Sequence, residues 1–353
     1  MSAGGTPWLA DLGRRFTAFD EPQRLLKRVN LPPDLLQRLG VQSEGDHRPR
    51  IELHRTLEQV FAGAFRIEPF VFNPAQAEAI KYRIQPRMRF RRASVSSRTE
   101  TSRNWSGAYI TANQDKRFLQ VWGMWTVPAN LKLPPEPFQG PPGIEYRVAN
   151  WIGLDGQRLY FDSSLPQMGT TSILQADGST RSEAWVQWFE RGSDDPNLVP
   201  LTLTVRPGDP VLCFVTVLGA QHVVCVIINL SPPLPVLQTV CVKAPPIKLP
   251  DGTVAAPDIA GATAEWVVER PQVIGEATPN NFPDYGRTSF SLCLAVEGHH
   301  ADLSSLFGGV AQDLSGARPI RMYDVLPNPS RTRYTSMPEK VNETTLRVHY
   351  GGF

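Results

Sequence analysis

A glutamate lies inside an otherwise apolar stretch, GATAEWVVERP, at residues 261–271. Successive side chains of a β-strand point to opposite faces, so Glu265 and Trp266 would face opposite ways. An ionised carboxylate is costly to bury without a partner. We therefore predict that Trp266 anchors the core while Glu265 faces a groove, where a carboxylate acts as a general base on water.

A glutamine lies in a second such stretch, SLPQMGTT, and is the natural partner for this base. The Gln167 amide donates N–H groups to a carboxyl or to a substrate oxygen, and it does not titrate in acid. Further polar and aromatic residues alternate in the neighbouring runs NWIGLDG and SEAWVQWFE, namely Trp151, Asp155, Glu183, Trp185 and Gln187. Together they predict one polar site lined by aromatic rings.

Short strand-like runs must position these residues, and they begin at Asn104. Gly, Pro, Asp and Asn separate the runs, and helical periodicity is nearly absent, which predicts an all-β antiparallel β-sandwich or barrel. The runs are WSGAYITA, RFLQVWGMWTVP, RVANWIGLDG, SEAWVQWFERG, LTLTVRPGD, PVLCFVTVLG, HVVCVIINL, TAEWVVERP, TSFSLCLAVEG and TLRVHYGG.

The N-terminal part of the chain differs from this body. Residues 1–90 predict a small, mainly helical region, with short amphipathic helices between residues 20 and 40 and another in NPAQAEAIKYRI, capped by Asn73 and started by Pro74. Residues 91–103 are basic and Ser-rich, as in a linker. Residues 1–103 carry 18 Lys and Arg against 11 Asp and Glu, whereas the remainder carries 18 against 23. The two parts are therefore predicted to attract each other.

Composition excludes several functional classes. The net charge is only +2, which argues against a dedicated nucleic-acid binder, and no apolar run is long enough to predict a membrane span. The first residues lack the apolar core of a secretory signal. The sequence contains no GxSxG, HExxH, Walker or GxGxxG motif, so we expect no metal and no cofactor.

The four cysteines, Cys213, Cys225, Cys241 and Cys293, lie in apolar runs without CxxC spacing. A hairpin centred near Gly219 would bring Cys213 opposite Cys225. We predict free buried thiols, because nothing in the sequence indicates an oxidising compartment.

Seven motifs, in order, resemble the glutamic peptidases (eqolisins, peptidase family G1). The resemblance covers roughly residues 104–351 and rests on NWSGAYI, FLQVWGMWTVP, WIGLDG, QMGT, AWVQWF, AEWVVERP and FPDYGRTSFS. It implies a concanavalin-like sandwich of two curved antiparallel sheets over residues 104–353, whose concave face binds a polypeptide substrate. It also implies an endopeptidase favoured at acid pH.

The resemblance implies a role for each site residue. Glu265 matches the family's catalytic base and Gln167 its oxyanion donor. Residues matching positions that line the cleft or hydrogen-bond the dyad are Trp151, Asp155, Glu183 and Trp185. Family members are typically secreted with a basic pro-segment, so residues 1–103 are predicted to cover the cleft of a monomeric enzyme, although no signal peptide is seen.

Some positions depart from the family pattern. Gln187 stands where the family has a glutamate, Phe189 where it has a tyrosine, and Thr171 where an acidic residue is frequent. The cleft is therefore less acidic than the family norm. Gln175, in SILQADG, is an alternative to Gln167, but it stands beside a turn signal and lacks the following Gly-Thr.

Two other functions stay open at this level. A sandwich of this shape also serves as a catalytically inactive peptide- or glycan-binding module. A glycosidase needs two carboxyl groups about 5–9.5 Å apart. Glu265 and Glu269 would be roughly 13 Å apart along one strand, which leaves only a partner from another strand such as Glu183.

Overall fold

The computed structural model describes residues 7–19, 60, 62–80, 82–84, 99–136, 139–140, 142–156, 164–190, 198–231, 233–248, 252–274, 279–299, 309–327 and 330–351. The helices predicted between residues 20 and 40 lie outside these ranges, as does most of the predicted linker 91–103. No helix among the described residues is both long and apolar enough to cross a membrane.

The described elements are mostly strands. The helices are α1 (Pro7–Arg15) and α2 (Pro74–Ala79), with a 3-10 turn at Leu314–Gly316. The strands are β1 (Phe16–Ala18), β2 (Arg66–Ile67), β3 (Tyr82–Arg83), β4 (Glu100–Ser102), β5 (Trp105–Thr111), β6 (Arg117–Thr126), β7 (Tyr146–Leu154), β8 (Leu165–Leu174), β9 (Thr180–Phe189), β10 (Leu198–Pro200), β11 (Pro210–Gly219), β12 (His222–Asn229), β13 (Val236–Lys243), β14 (Ile247–Lys248), β15 (Val254–Ala255), β16 (Thr263–Glu269), β17 (Gln272–Val273), β18 (Arg287–Gly298), β19 (Val310–Gln312), β20 (Arg318–Pro327), β21 (Ser330–Asn342) and β22 (Thr345–Tyr350).

The strands form two packed antiparallel layers. The first, called here the site sheet, has the spatial order β10-β9-β8-β7-β16-β5-β20-β21-β22. The second, the back sheet, has the order β13-β12-β11-β6-β18-β19. Two indole N–H groups cross between the layers: Trp266 Nε1 donates to the Trp122 carbonyl at 2.6 Å, and Trp125 Nε1 donates to Thr170 Oγ1 at 2.9 Å. The all-β sandwich predicted from the strand pattern is confirmed, with Trp266 in the core between the sheets.

One strand, β18, belongs to both sheets. Its first residues pair with β22 in the site sheet, and the residues from Ser291 onward pair with β6 in the back sheet. At the change of sheet the register shifts between Ser291 and Leu294, and Leu292 has a left-handed φ of 54°. A bulge of this kind bends a strand and lets it turn the corner of a sandwich.

The N-terminal region is packed onto the back sheet. β1 pairs antiparallel with β13, and β2 pairs parallel with β13. The outer face of the back sheet is apolar and buried, and Phe19, Val60 and Phe65 pack against it. This face is formed by Trp122, Met124, Leu212, Phe214, Val224, Val226, Ile228, Leu237, Leu292 and Leu294. The back sheet is therefore buried on both faces, which explains the nearly continuous apolar runs of β11 and β12.

Local predictions had mixed outcomes. α2 begins as expected, with Asn73 Oδ1 accepting the Gln76 N–H at 3.2 Å and Pro74 in the first turn. The described part of residues 1–90 nevertheless contains three short strands besides its two helices. The division into residues 1–90, 91–103 and 104–353 stays a prediction.

The strand predicted over LTLTVRPGD was wrong. Leu201, Leu203 and Val205 are buried, but the segment carries no strand ladder, because the Leu203 N–H is taken by the side-chain oxygen of Gln238 at 3.1 Å. The alternating apolar residues of this segment therefore indicate which side chains are buried, and they do not indicate strand pairing.

The pairing of Cys213 with Cys225 was also wrong. In the β11–β12 hairpin Cys213 lies opposite Ile227, and Cys225 lies opposite Val215, because Gly219 pairs with His222. All four cysteines are free.

Candidate active site

Glu265 and Gln167 lie in one row that crosses the site sheet. Tyr109 pairs with Glu265, Glu265 with Gly153, Gly153 with Gln167, and Gln167 with Gln187. Directly opposed residues of an antiparallel sheet point to the same face. Two strand spacings separate the Cα atoms of Glu265 and Gln167, about 9.6 Å. Their side chains therefore flank the gap above Gly153.

Gly153 adds no side chain of its own to that gap, and the Leu165 side chain reaches into it. A Cβ at this position would lie 2.8 Å from Leu165 Cδ1, 3.0 Å from Gln167 Cβ and 3.1 Å from the Pro166 carbonyl oxygen. The motif WIGLDG was noted for Trp151 and Asp155, and the glycine between them was missed. A glycine inside a strand, which signals close approach of another group, could have found it.

Glu265 is fully buried, and two donors bind its Oε1. Its Oε1 accepts the backbone N–H of Gly156 at 3.0 Å and a short hydrogen bond from the Thr263 hydroxyl. Thr263 stands two residues earlier on the same face of β16. These contacts fix the rotation of the carboxyl group, as a base that activates one water molecule requires.

Gln167 is also fully buried, and its orientation depends on β9. Its Nε2 donates to Gln187 Oε1 at 3.0 Å, while Gln167 Oε1 has no hydrogen-bond partner among the residues that the structure describes. An amide nitrogen carries two N–H donors, so one remains for another acceptor. The substitution of the family glutamate by Gln187 thus preserves an acceptor for Gln167.

Asp155 ties the end of β7 to the start of β16. Its φ is 65°, in the left-handed region, and its carboxylate accepts the backbone N–H groups of Gly261 at 2.7 Å and Ala262 at 2.6 Å. Burial raises the pKa of Asp155 to about 6, although these backbone donors oppose the shift. Asp155 therefore positions the residues that precede Thr263 and Glu265 and lies one step away from the gap.

Three tryptophans line the same face beyond the row. Trp151 Nε1 donates to Glu269 Oε2 at 3.0 Å, and Trp105 meets Trp151 edge to face with ring centroids 4.9 Å apart. Trp185 Nε1 donates to Thr171 Oγ1 at 2.9 Å. Thr171, one of the departures from the family pattern, thus serves as an acceptor for an aromatic wall.

Glu183 lies farther along the same face and binds the N-terminal region. Its Oε1 accepts the Tyr82 hydroxyl at 2.6 Å, and its Oε2 accepts Arg181 Nη1 at 2.9 Å. Arg147 stacks its guanidinium over the Tyr82 ring, 4.2 Å from the centroid. Neither Tyr82 nor Arg147 was predicted as a site residue, since no local motif marks them.

The remaining candidates lie away from the row. Gln175 is in the turn between β8 and β9, where its N–H bonds the Ser179 carbonyl. Glu183 and Glu265 are separated by three strand spacings and four residues, roughly 19 Å along the sheet, too far for a glycosidase pair. Among the described residues, no group of three or more His, Cys, Asp and Glu side chains is placed to hold a metal ion.

Two comparisons with known proteins found similarities, and a third found none. The sequence model of the Peptidase A4 family matches residues 103–338. Among solved structures, the chain resembles Scytalido-glutamic peptidase with a peptide based transition state analog, at 16% identity and a TM-score of 0.47, over 70% of this chain and 98% of that one. It also resembles SCP-B, a member of the Eqolisin family of peptidases, in a complex with the tripeptide Ala-Ile-His, at 16% identity and a TM-score of 0.45, with the same coverage of both chains. No curated protein sequence matches significantly.

The family match covers more than half of the chain. The chain therefore belongs to the Peptidase A4 family, the glutamic peptidases that its motifs predicted, and it is a hydrolase of the glutamic peptidase type.

Proposed function

We propose that this protein is an endopeptidase that uses Glu265 as general base and Gln167 as oxyanion donor, and that it works best at acid pH. The observation that carries the proposal is the cross-strand row, in which the two side chains share a face with only Gly153 between them. A polypeptide substrate follows from membership of a peptidase family.

The proposed reaction begins with a water molecule in the gap above Gly153. Glu265 takes a proton from this water as its oxygen attacks the scissile carbonyl carbon. The second Gln167 N–H, the one not used by Gln187, donates to the oxyanion that forms. Glu265 then returns the proton to the amine nitrogen as the C–N bond breaks. An oxyanion donor of this kind contributes about 3–4 kcal/mol to lowering the barrier.

Two features support acid conditions. The glutamine amide keeps its donors at low pH because it does not titrate. Asp155 binds a proton more tightly in the folded chain, with a pKa of about 6, than in the unfolded chain, where its ordinary value is 3.8. Its contribution to stability is therefore fully present below pH 3.8 and is lost as the pH rises through about 6.

The N-terminal region is proposed to cover the cleft. Glu265 and Gln167 have no exposed surface, so a substrate reaches them only after a cover moves. Ile80, Tyr82 and Ile84 pack in the same apolar cluster as the tryptophans of the site face. The excess of basic residues in 1–103 over an acidic body adds a second attraction.

The test is proteolysis of a denatured protein by the full-length chain between pH 3 and 7, with Tyr82→Gly present in every variant to loosen the cover. We expect Glu265→Gln to lose at least a thousandfold in rate and Gln167→Ala about 10²–10³-fold. Glu269→Gln is the matched control, because Glu269 is equally buried on the same face of β16.

Full activity of Glu265→Gln or Gln167→Ala would refute the dyad. Failure of every variant to cleave any substrate, with denatured polypeptide still bound, would favour the inactive binding module.

A further inference from the structure

Tyr82 is held against the site sheet by a separate two-stranded ladder, in the manner of a bound peptide residue. The two residues of β3 pair with β17 in an antiparallel ladder, Tyr82 with Val273 and Arg83 with Gln272. The Arg83 guanidinium also donates to Gln272 Oε1 at 3.1 Å. Main-chain pairing to a strand with one side chain in a pocket is the usual pattern of peptide recognition by sheets.

The pocket around Tyr82 contacts both the aromatic ring and the hydroxyl group of this side chain. The ring is 1% exposed and lies under the guanidinium of Arg147, whose own exposure is only 4%. The hydroxyl donates to Glu183 Oε1. Burial, followed by the charge of Glu183, raises the pKa of Tyr82 well above its ordinary value, so the phenol stays a donor.

Arg147 is held in place by its neighbours. Its Nη2 forms a short ion pair with Glu145, and its Nε has no hydrogen-bond partner within the described part of the chain. A guanidinium that is not consumed by hydrogen bonds in its plane presents its face for stacking on an aromatic ring. We call Arg147, Thr171 and Glu183 the phenol pocket.

The phenol pocket lies at a defined distance from the proposed dyad. Glu183 and Gln187 share one face of β9 and are four residues apart, about 13 Å. An extended peptide lying along β9 covers that distance with about four residues. A side chain in the pocket therefore belongs to a residue about four positions from the bond above Gly153.

We propose that the phenol pocket is a substrate subsite that selects a tyrosine about four residues from the cleaved bond, and that Tyr82 occupies it as a tethered substitute for substrate. This inference rests on the proposed peptidase function. Phenylalanine fills the ring position but leaves Glu183 Oε1 without the hydroxyl donor. Sites built around a substrate hydroxyl reject the analogue that lacks it. A phosphotyrosine is excluded because its charge repels Glu183.

The experiment uses the full-length Tyr82→Gly chain, which leaves the pocket empty. Two labelled peptides, identical except for Tyr or Phe four residues from the cleaved bond, are compared by kcat/KM, with the cleaved bond mapped by mass spectrometry. We expect about a tenfold preference for Tyr, as for one hydrogen bond to a charged acceptor. Glu183→Leu should reduce the preference to about one, and Arg147→Met should weaken binding of both peptides.

Arg181→Met is the matched control. Arg181 Nη1 donates to Glu183 Oε2, whereas the Tyr82 hydroxyl donates to Glu183 Oε1. Substitution of Arg181 should leave the Tyr-to-Phe ratio unchanged. Urea unfolding of each variant checks that the sheet is intact. As a second measurement in the otherwise unchanged chain, Tyr82→Phe should raise cleavage of added peptide by weakening the tethered occupant.

Measurements of cleavage and of binding distinguish the proposed subsite from the proposed peptidase reaction. Peptide hydrolysis with equal rates for Tyr and Phe overturns the subsite and leaves the peptidase intact. In a Glu265→Gln, Tyr82→Gly chain, fluorescence anisotropy of the same peptides gives the ratio of Kd values without turnover. Tighter binding of the Tyr peptide, together with no cleavage by the Tyr82→Gly chain that keeps Glu265, supports the pocket and refutes the proposed reaction. Equal binding of both peptides overturns the inference.

Discussion

Replacing Gly153 by alanine puts one methyl group into the gap between the proposed base and its partner. The added Cβ would lie 3.0 Å from Gln167 Cβ and 3.1 Å from the Pro166 carbonyl oxygen, both closer than ordinary contact. Neither neighbour is the free end of a flexible side chain, so β8 must shift by several tenths of an ångström. Gln167 would move with it, away from Glu265.

The effect on activity should exceed the effect on stability. Overpacking of a buried site by one methyl group costs about 1–3 kcal/mol, which a sandwich of this size tolerates. Misplacement of a catalytic group by about 1 Å lowers the rate on the order of a hundredfold. The methyl group also takes space needed by the attacking water. We therefore expect Gly153→Ala to fold and to lose at least 99% of kcat.

The assay compares kcat for a peptide substrate with the free energy of unfolding in urea, both in the Tyr82→Gly chain. Gly219→Ala is the control, because a Cβ there meets nothing within 4 Å. A Gly153→Ala enzyme that is folded and fully active would refute the assignment of the gap as the reaction site, whatever the roles of Glu265 and Gln167.

Three further predictions concern other parts of the molecule. The unfolding free energy of wild type minus that of Asp155→Asn should fall by about 2.4 kcal/mol between pH 4 and 7, since the pKa is raised from 3.8 to about 6; a flat difference in urea titrations would contradict this. Deletion of residues 1–84 should expose the outer face of the back sheet and cause self-association, seen by light scattering; a monodisperse product would show that this layer is dispensable. Gln187→Leu should lower kcat about tenfold by releasing the Gln167 amide, whereas Gln187→Glu keeps the acceptor and should stay near wild type; equal losses in both would argue against that role.

The local sequence pattern was sufficient for the strands of the site. The alternation around Glu265 correctly predicts that Trp266 enters the core between the sheets, while Glu265 on the opposite face of β16 is also fully buried. The same reasoning fails for β20 and β21, which carry Arg, Lys, Asp and Pro and have no strong period. These strands pair because of the strands beside them in the sheet. The residue pattern of one segment does not indicate which strands those are.

The strand register and the contacts between residues far apart in the chain could not be predicted from the sequence. The row that joins Glu265, Gly153 and Gln167 requires β16 to pair with β7, although Glu265 and Gly153 are 112 positions apart in the chain. The contact between Tyr82 and Glu183 joins residues 101 positions apart. Neither the row nor this contact follows from the spacing of residues in the sequence. The motifs that resemble the family include neither Tyr82 nor Arg147.

The pairing of β1 with β13 has a consequence for synthesis of the chain. Phe16 pairs with Val242, a residue that leaves the ribosome 226 positions later. At about 5–20 residues per second, β1 waits roughly 11–45 s for its partner strand. During that time the buried Phe16 and the apolar side of α1 have no sheet to pack on. The order of synthesis therefore makes the N-terminal region the first part made, although it docks only after β13 is complete, and chaperone demand should be greatest in that interval.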